Sequence, residues 1–308
     1  WTNPYTNELG IITNKGMGIY SFKDGSITHT KYMEQYQTMV SVGGFPNHDL
    51  LVGYCSAFPD DEVAVFDFKK GKLTGRLTKN TDEGYVYGSI NFVDSWDKSV
   101  YSFCGYGWYK TRNQLTKFNI NTKKWEEQKV TGDFFPARYM QAVLPSPERD
   151  VYYILGGYGN KSGNQKDGFY NLWDLHKLDL KTLTNTKIYD WGKKDKYHVF
   201  YQALWADSNR SGIYTLVQST EEKVITQNLG RVVFGDTALI LVGDTGSIAS
   251  HRPLSGSFLI DYSMNKFFSV LTTEYDSTVT IHLFSVKTPI LSEMEYKELY
   301  ATSPHGVR

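Results

Sequence analysis

Four residues that could bind a ligand lie close together in the stretch GYGWYKTRNQ. Trp108, Tyr109, Lys110 and Arg112 fall within five consecutive positions. Flat aromatic rings stack on the apolar faces of sugars and peptides, while arginine and amide groups hold hydroxyls or carboxylates. The stretch therefore predicts a surface that binds a glycan or a protein partner.

A second group of candidate ligand-binding residues lies at the starts of four predicted strands. Each start carries at least one tyrosine, and three of them also carry Gln, Arg or His. The residues are Tyr36, Gln37, Tyr85, Tyr87, Arg138, Tyr139, His198 and Tyr201. The alternative for this group is structural, because rings can pack between sheets and a repeated Gln can bond to neighbouring backbone.

The familiar catalytic signatures are absent from the sequence. It contains no H-E-x-x-H, G-x-S-x-G, Walker or C-x-x-C motif, and its seven histidines show no metal-ligand spacing. The stretch GYGNKSG (Gly157–Gly163) is followed by nothing helical, so we interpret it as a loop. We expect no catalytic residue, no metal and no cofactor, which favours a protein that is not an enzyme.

Three sequence elements recur roughly every 50 residues and predict the architecture. A strand pattern reads VYYILGGYGN, SVYSFCGYGW and LLVGYCSAF, which places Cys55, Cys104 and Gly156 at one position. Hairpins such as VFDFKKGKL and KFNINTKKW follow it. Strands such as YVYGSINF and RYMQAVLP precede it, with Gly88 aligned on Gln141. Alternation indicates half-buried strands, and four strands per unit are typical of a propeller blade.

The repeat predicts an all-β fold, a β-propeller of four-stranded antiparallel blades. We expect one propeller over residues 1–308, with six blades at 8–32 (partial), 33–83, 84–131, 132–190, 191–254 and 255–296. Residues 297–308 would close the ring as a strand, which removes exposed sheet edges, or lead to a further segment. A seventh blade is the alternative, since 220–254 is poorly patterned. Both groups of candidate residues would then meet at the central funnel.

These elements resemble the kelch repeats of the galactose oxidase central-domain-like superfamily. PARYMQAV resembles the kelch entry P-x-R-x-x-H-x-A, with Gln141 at the usual His, and KFNINTKKW resembles the kelch exit Y-D-x-x-T-x-x-W. The resemblance is clearest over residues 33–190. It implies a binding scaffold or, alternatively, a carbohydrate-active enzyme such as an epimerase, mutarotase or lyase. Such an enzyme would use Arg138, His198 and a carboxylate of the funnel for proton transfer.

Charge and cysteine content exclude several other classes of function. The 33 basic and 33 acidic residues give a formal net charge of zero, which argues against a nucleic-acid or anionic-membrane surface. The two cysteines form no disulfide framework, and both occupy the small-residue position of the repeated strand, so we expect them to pack. No apolar run approaches the ~18 residues that insertion in a bilayer needs.

We therefore expect a recognition or sensory domain that binds a glycan or protein partner at its funnel. The chain begins with Trp1 rather than Met, and its end continues past the last strand pattern. Both features predict flanking domains or an anchor and favour an extracytoplasmic location, periplasmic or at the cell surface. A cytoplasmic adaptor is the alternative, in which two reduced cysteines are unremarkable.

Overall fold

The computed structural model gives the backbone of the strands named below and the side chains of part of the chain. Side chains are described for residues 19–21, 23–28, 88–90, 101–117, 125–144, 146, 148, 150–192, 198–200, 203, 211–219, 226, 228–235, 239, 280 and 282–283. The chain divides into two compact units. The first comprises Trp1–Val130, Pro136–Tyr139 and Lys161–Asp167, and the second comprises Thr131–Phe135, Met140–Asn160 and Gly168–Arg308.

The first unit contains three antiparallel four-stranded sheets in its described part. The first sheet is β1 (Thr2–Asn3), β2 (Glu8–Thr13), β3 (Gly16–Ser21) and β4 (Ile27–Lys31). The second is β5 (Ser41–Gly44), β6 (Leu50–Cys55), β7 (Glu62–Asp67) and β8 (Lys72–Thr78). The third is β9 (Ile90–Asp94), β10 (Ser99–Phe103), β13 (Leu115–Asn119) and β14 (Lys124–Gln128). Between β10 and β13 along the chain, β11 (Tyr106–Gly107) and β12 (Lys110–Thr111) form a separate two-stranded hairpin.

The second unit starts with β15 (Thr131–Gly132), after which β16 (Ala137–Tyr139) returns to the first unit. Its first sheet contains β17 (Ala142–Pro145), β18 (Val151–Leu155), β19 (Tyr158–Asn160), β20 (Tyr170–Asp179) and β21 (Thr184–Asp195). The order β17-β18-β20-β21 is antiparallel, β19 pairs with β20, and β15 adds parallel to β21.

Two further antiparallel sheets follow. One is β22 (His198–Trp205), β23 (Gly212–Glu221), β24 (Val224–Val233) and β25 (Leu239–Ala249). The other has three described strands, β26 (Pro253–Asp261), β27 (Lys266–Tyr275) and β28 (Thr278–Lys287). Among the described residues the one helical element is a single 3-10 turn, Gln165–Asp167, and no helix there is long and apolar enough to span a membrane.

The prediction of an all-β chain of antiparallel sheets is confirmed. Each sheet follows the previous one along the chain, as the repeat of roughly 50 residues requires. The predicted domain and blade boundaries and the number of blades stay predictions. The predicted ring-closing segment 297–308 lies outside the described residues.

The equivalence of the strand ends at Cys104 and Gly156 is confirmed by their backbone, whereas that of Cys55, whose side chain lies outside the described residues, stays a prediction. Cys104 and Gly156 both have left-handed backbone, with φ of 67° and 62°, and the glycines that follow them have φ of 112° and 114°. A residue with a Cβ bears a cost of about 1–2 kcal/mol in this conformation that glycine does not. The two repeats therefore share a backbone conformation, and Cys104 adopts it in spite of its unfavourable free energy for a residue with a Cβ.

The alignment of Gly88 with Gln141 is wrong by one residue. Gly88 and Met140 share left-handed φ values of 68° and 57°, and each lies two residues before the strand that follows it. Gln141 comes one position later, immediately before β17. Sequence comparison matched side-chain types here, whereas the conserved feature of the repeat is the left-handed turn.

The described core of the second unit lies between its first two sheets. Trp173 of β20 and Phe200 of β22 are fully buried and meet edge to face, with ring centroids 5.0 Å apart. The Phe200 ring also contacts the backbone at Gly156, where a Cβ would lie 2.2 Å from Cδ2. Residues 171–176 of β20 are all buried, and because successive side chains of a strand point to opposite faces, both faces of this part of the strand are covered.

Candidate functional site

The hairpin β11–β12 presents two large aromatic side chains to solvent. Trp108 is 71% exposed and Tyr109 is 74% exposed. They form the two-residue turn between Gly107 and Lys110, and both have positive φ, 53° and 61°. A turn with positive φ at both central residues is type I′, which favours Asn and Gly. Bulky Trp and Tyr are strained at these positions.

Backbone hydrogen bonds from β16 hold the base of this hairpin. The Gly105 amide donates to the Arg138 carbonyl at 2.9 Å, the Arg138 amide to the Arg112 carbonyl at 3.1 Å, and the Arg112 amide to the Gly105 carbonyl at 2.8 Å. The Arg138 side chain is fully buried, and its Nε donates to the Pro136 carbonyl at 3.0 Å. Arg138 therefore supports the hairpin from beneath.

The segment 161–167 holds the other side of the hairpin. The Thr111 amide donates to the Gly163 carbonyl at 2.7 Å, and the Gln165 amide donates to the Tyr109 carbonyl at 3.1 Å. Gly163 has φ of 71°, and a Cβ there would lie 2.6 Å from the Thr111 carbonyl oxygen, so only glycine allows this approach. We call residues 105–112, 136–139 and 161–167 together the hairpin platform; all belong to the first unit.

Two tyrosines join the parts of the hairpin platform through their side chains. The Tyr106 hydroxyl donates to Oε1 of Gln165 at 2.5 Å. The Tyr106 ring also packs against Tyr139 of β16, with centroids 5.2 Å apart and planes tilted by 33°. The strained turn is thus held by hydrogen bonds and ring packing from two segments that are distant in sequence.

The surface charge of the hairpin platform is mainly positive. Lys110, Lys161 and Lys166 are exposed, and Arg112 is half-buried. Asp167 is the one acidic residue in the sequence of these three segments, and its Oδ2 accepts a hydrogen bond from the Ser162 hydroxyl at 2.5 Å. An anionic group is therefore better suited to this surface than a cationic one.

The structure brings together six of the predicted ligand-binding residues. They are Trp108, Tyr109, Lys110, Arg112, Arg138 and Tyr139. His198 lies in the second unit, where its ring packs edge to face on Trp173 with centroids 5.8 Å apart. The side chains of Tyr36, Gln37, Tyr85, Tyr87 and Tyr201 lie outside the described residues.

Sequence reasoning missed Tyr106, Gln165 and the lysines of 161–167. The interpretation of Gly157–Gly163 as a loop is wrong for Tyr158–Asn160, which form the whole of strand β19, and the stretch ends at the Gly163 that bonds to Thr111. The available signal was the repeat itself, because the stretches after Gly105 and Gly157 are equivalent in it. Equivalent loops of neighbouring repeats lie near one another, although the sequence does not show which groups bond.

One histidine and one carboxylate lie within hydrogen-bond distance of each other, His176 and Asp174, and both are buried in the second unit. Nε2 of His176 is 3.2 Å from Oδ2 of Asp174, and Nδ1 is 3.1 Å from Nδ2 of Asn185. Nδ2 of Asn185 also donates to the Asp133 carbonyl at 2.8 Å, so Nδ1 of His176 accepts and Nε2–H donates to Asp174. Both His176 and Asp174 are buried, which makes the cluster a part of the core.

The described residues include no cluster of metal ligands. No group of three or more His, Cys, Asp or Glu side chains is arranged to hold a metal ion among the residues that the structure describes. Arg138, which the enzyme alternative would place at a funnel, is buried under the hairpin instead.

Known proteins are similar in sequence to part of the chain. Kelch domain-containing protein 3 of Homo sapiens is 35% identical over 99 residues, which is 32% of this chain and 23% of that protein. The Bos taurus protein of the same name is 34% identical over 99 residues, with the same coverage. The matched stretch thus spans about a quarter of the length of these relatives. A search of family models found no match.

A solved structure supports the fold over most of the chain. A chain of Kuenenia stuttgartiensis hydrazine synthase superposes with a TM-score of 0.52 over 88% of this chain and 75% of that one, at 11% sequence identity. At this identity the likeness concerns the fold alone. The repeated strand ends, the antiparallel sheets and these relatives together support a kelch-repeat β-propeller.

Proposed function

We propose that this chain is a non-catalytic recognition domain and that the hairpin platform binds a partner protein. One observation carries the proposal: Trp108 and Tyr109 are largely exposed at a turn whose backbone is strained. Strained non-glycine residues persist where the surrounding structure fixes them, and they are frequent at ligand sites. Two exposed rings have no role in the core that would compensate for this strain.

The energetics of binding also favour this turn. Trp and Tyr are the residues that most often dominate protein interfaces, and each buries roughly 150–250 Å² when covered. At about 25 cal/mol per Å² of apolar surface, covering both rings would contribute several kcal/mol. Because the hydrogen bonds from β16 and 161–167 already hold the turn, a partner would not have to order it.

A glycan is the second ligand class, favoured by the same pair of rings. Exposed aromatic faces stack on sugar rings, and Arg112 and Gln165 are polar groups close to them in the hairpin platform. Exposed rings alone do not distinguish a glycan from a protein, so the experiment includes both.

Site-specific photo-crosslinking tests the proposal. Tyr109 is replaced by p-benzoylphenylalanine in the whole chain, and Phe134, which is 59% exposed in the second unit, is replaced in the control. We expect a protein adduct from position 109, identified by mass spectrometry, that disappears when Trp108→Ala is added. Binding of wild type and Trp108→Ala on a glycan array is measured in parallel.

The outcomes separate the two ligand classes. A Trp108-dependent protein adduct that rebinds in purified form supports the proposal. Trp108-dependent glycan binding without an adduct would replace the protein partner by a glycan. Adducts or glycan binding that Trp108→Ala leaves unchanged would contradict a binding role for the hairpin platform.

A further inference from the structure

We propose that the hairpin platform binds an acidic peptide segment of its partner, with an apolar side chain of that segment against Trp108. The inference rests on the function proposed above and adds the chemistry of the partner. It starts from the local charge: the whole chain has 33 basic and 33 acidic residues, whereas the platform has Asp167 as its one acid.

The lysines of the hairpin platform are available to a ligand. Lys110, Lys161 and Lys166 are exposed, and within the described part of the chain no carboxylate forms an ion pair with any of them. Elsewhere in that part of the chain exposed lysines do pair, as Lys187 does with Asp190 at 3.1 Å. The one carboxylate of the hairpin platform, Asp167, is exposed and accepts a hydrogen bond from the Ser162 hydroxyl.

The fold places two of these lysines next to the aromatic turn in the backbone. Lys110 is the residue that directly follows Tyr109, and its backbone bridges to Asn164. Lys166 lies in the 3-10 turn that begins at Gln165, whose amide bonds to the Tyr109 carbonyl. Lys110 and Lys166 therefore both belong to the segments that contact the turn. Charges closer than a Debye length, roughly 10 Å at 0.1 M salt, are only partly screened, so neighbouring lysines can attract one anion jointly.

An acidic peptide suits this arrangement better than the other polyanions. Nucleic-acid surfaces need a longer track of cations that neutralises many phosphates, and a formal net charge of zero gives the chain no overall excess of basic residues for one. A neutral glycan could stack on the rings but would have no charge to pair with the lysines. An extended segment with Glu or Asp on either side of one apolar residue would use both the rings and the lysines.

Selection of peptides from a random display library on the whole chain tests the inference. Wild type is compared with Trp108→Ala/Tyr109→Ala and with Lys110→Glu/Lys166→Glu. The matched control is Lys23→Glu/Lys181→Glu, which reverses two exposed lysines outside the hairpin platform. We expect wild type and control to select peptides with Asp or Glu around an apolar residue, and the lysine variant to lose this acidic excess.

The affinity of the best selected peptide gives the quantitative test. We expect Lys110→Glu/Lys166→Glu to weaken it about tenfold or more, the control variant to leave it within about twofold, and a rise from about 0.05 to 0.5 M NaCl to weaken it severalfold. Circular dichroism and thermal melting of each variant check that it folds.

The outcomes separate a failure of this inference from a failure of the proposed function. Peptides that require Trp108 and Tyr109 but show no acidic excess would overturn the inference and leave the proposed function standing. A single-stranded oligonucleotide or a glycan that competes for the aromatic turn, where no acidic peptide does, would also overturn it. Enrichment that is insensitive to the rings as well as the lysines, or no enrichment at all, would count against both.

Discussion

The hydroxyl of Tyr106 donates a hydrogen bond to Oε1 of Gln165 at 2.5 Å, across 59 positions of sequence. This bond closes the hairpin platform from the side, next to the two backbone bonds that join Thr111 to Gly163 and Gln165 to Tyr109. The conformation of the exposed turn therefore depends on a segment that belongs to the following repeat of the sequence.

Tyr106→Phe should loosen the hairpin platform without unfolding the chain. It removes one hydrogen bond, with a net value of about 0.5–1.5 kcal/mol, and retains the ring that packs on Tyr139. In hydrogen exchange we expect the amides of Thr111 and Gln165 to exchange roughly 2–10 times faster. The Gly156 amide, bonded to the Asp174 carbonyl in the second unit, is the internal control and should not change. Unchanged exchange at Thr111 and Gln165 would show that the side-chain bond does not hold these segments.

Replacing the aromatic turn by Trp108→Asn/Tyr109→Gly should stabilise the protein and abolish partner binding. Asn-Gly is the preferred pair for a type I′ turn, and the exposed rings contribute little to the core. The relief of left-handed strain, about 1–2 kcal/mol per residue, exceeds the entropic cost of one glycine, so we expect a net gain of about 1 kcal/mol or more in urea denaturation. A loss of stability would mean that the rings serve the fold rather than a partner.

The sequence predicted features that a local pattern determines. Alternating strands and the repeated strand end gave the all-β fold, and the confirmed equivalence of Cys104 with Gly156 follows from one backbone conformation. Trp108 and Tyr109 were predicted as part of a ligand surface because they cluster with Lys110 and Arg112 within five positions of one predicted loop. In both cases the cause lies within about ten residues along the chain.

The supports of the candidate site could not be predicted, because they are long-range and involve mainly backbone atoms. The bonds between Thr111 and Gly163 and between Gly105 and Arg138 use amide and carbonyl groups that every residue has. Arg138 was predicted to bind a ligand because it lies at the start of a predicted strand and arginine holds hydroxyls or carboxylates, yet its side chain is buried and its Nε donates to the Pro136 carbonyl. Residue type alone does not distinguish these two environments.

Asn185→Ala should destabilise the second unit through its buried polar cluster. The substitution removes the donor to both the Asp133 carbonyl and Nδ1 of His176. Asp133 is exposed, so water can replace its bond, whereas the buried Nδ1 of His176 left without a partner costs about 1–3 kcal/mol. We expect a loss of roughly 1–3 kcal/mol in the free energy of unfolding. Thr186→Ala, an exposed neighbour on β21, is the control and should stay within about 0.5 kcal/mol of wild type. Equal effects of the two variants would show that the Asn185 bonds contribute little.

Gly156→Ala should destabilise the core for two reasons that can be separated. The left-handed backbone costs alanine about 1–2 kcal/mol, and the new methyl group would overlap the Phe200 ring, which adds about 1–3 kcal/mol. Gly168→Ala isolates the first cost, because Gly168 has φ of 76° and its Cβ would meet nothing within 4 Å.

Combining Gly156→Ala with Phe200→Leu completes this test. The smaller side chain leaves room for the methyl group, so the double variant should be more stable than the sum of the single effects by about 1 kcal/mol or more, measured in a double-mutant cycle by denaturation. Gly168→Ala combined with Phe200→Leu should be additive, since no described contact joins those residues. Additivity in both pairs would mean that Gly156 is required for its backbone conformation alone, as its left-handed counterpart Cys104 suggests.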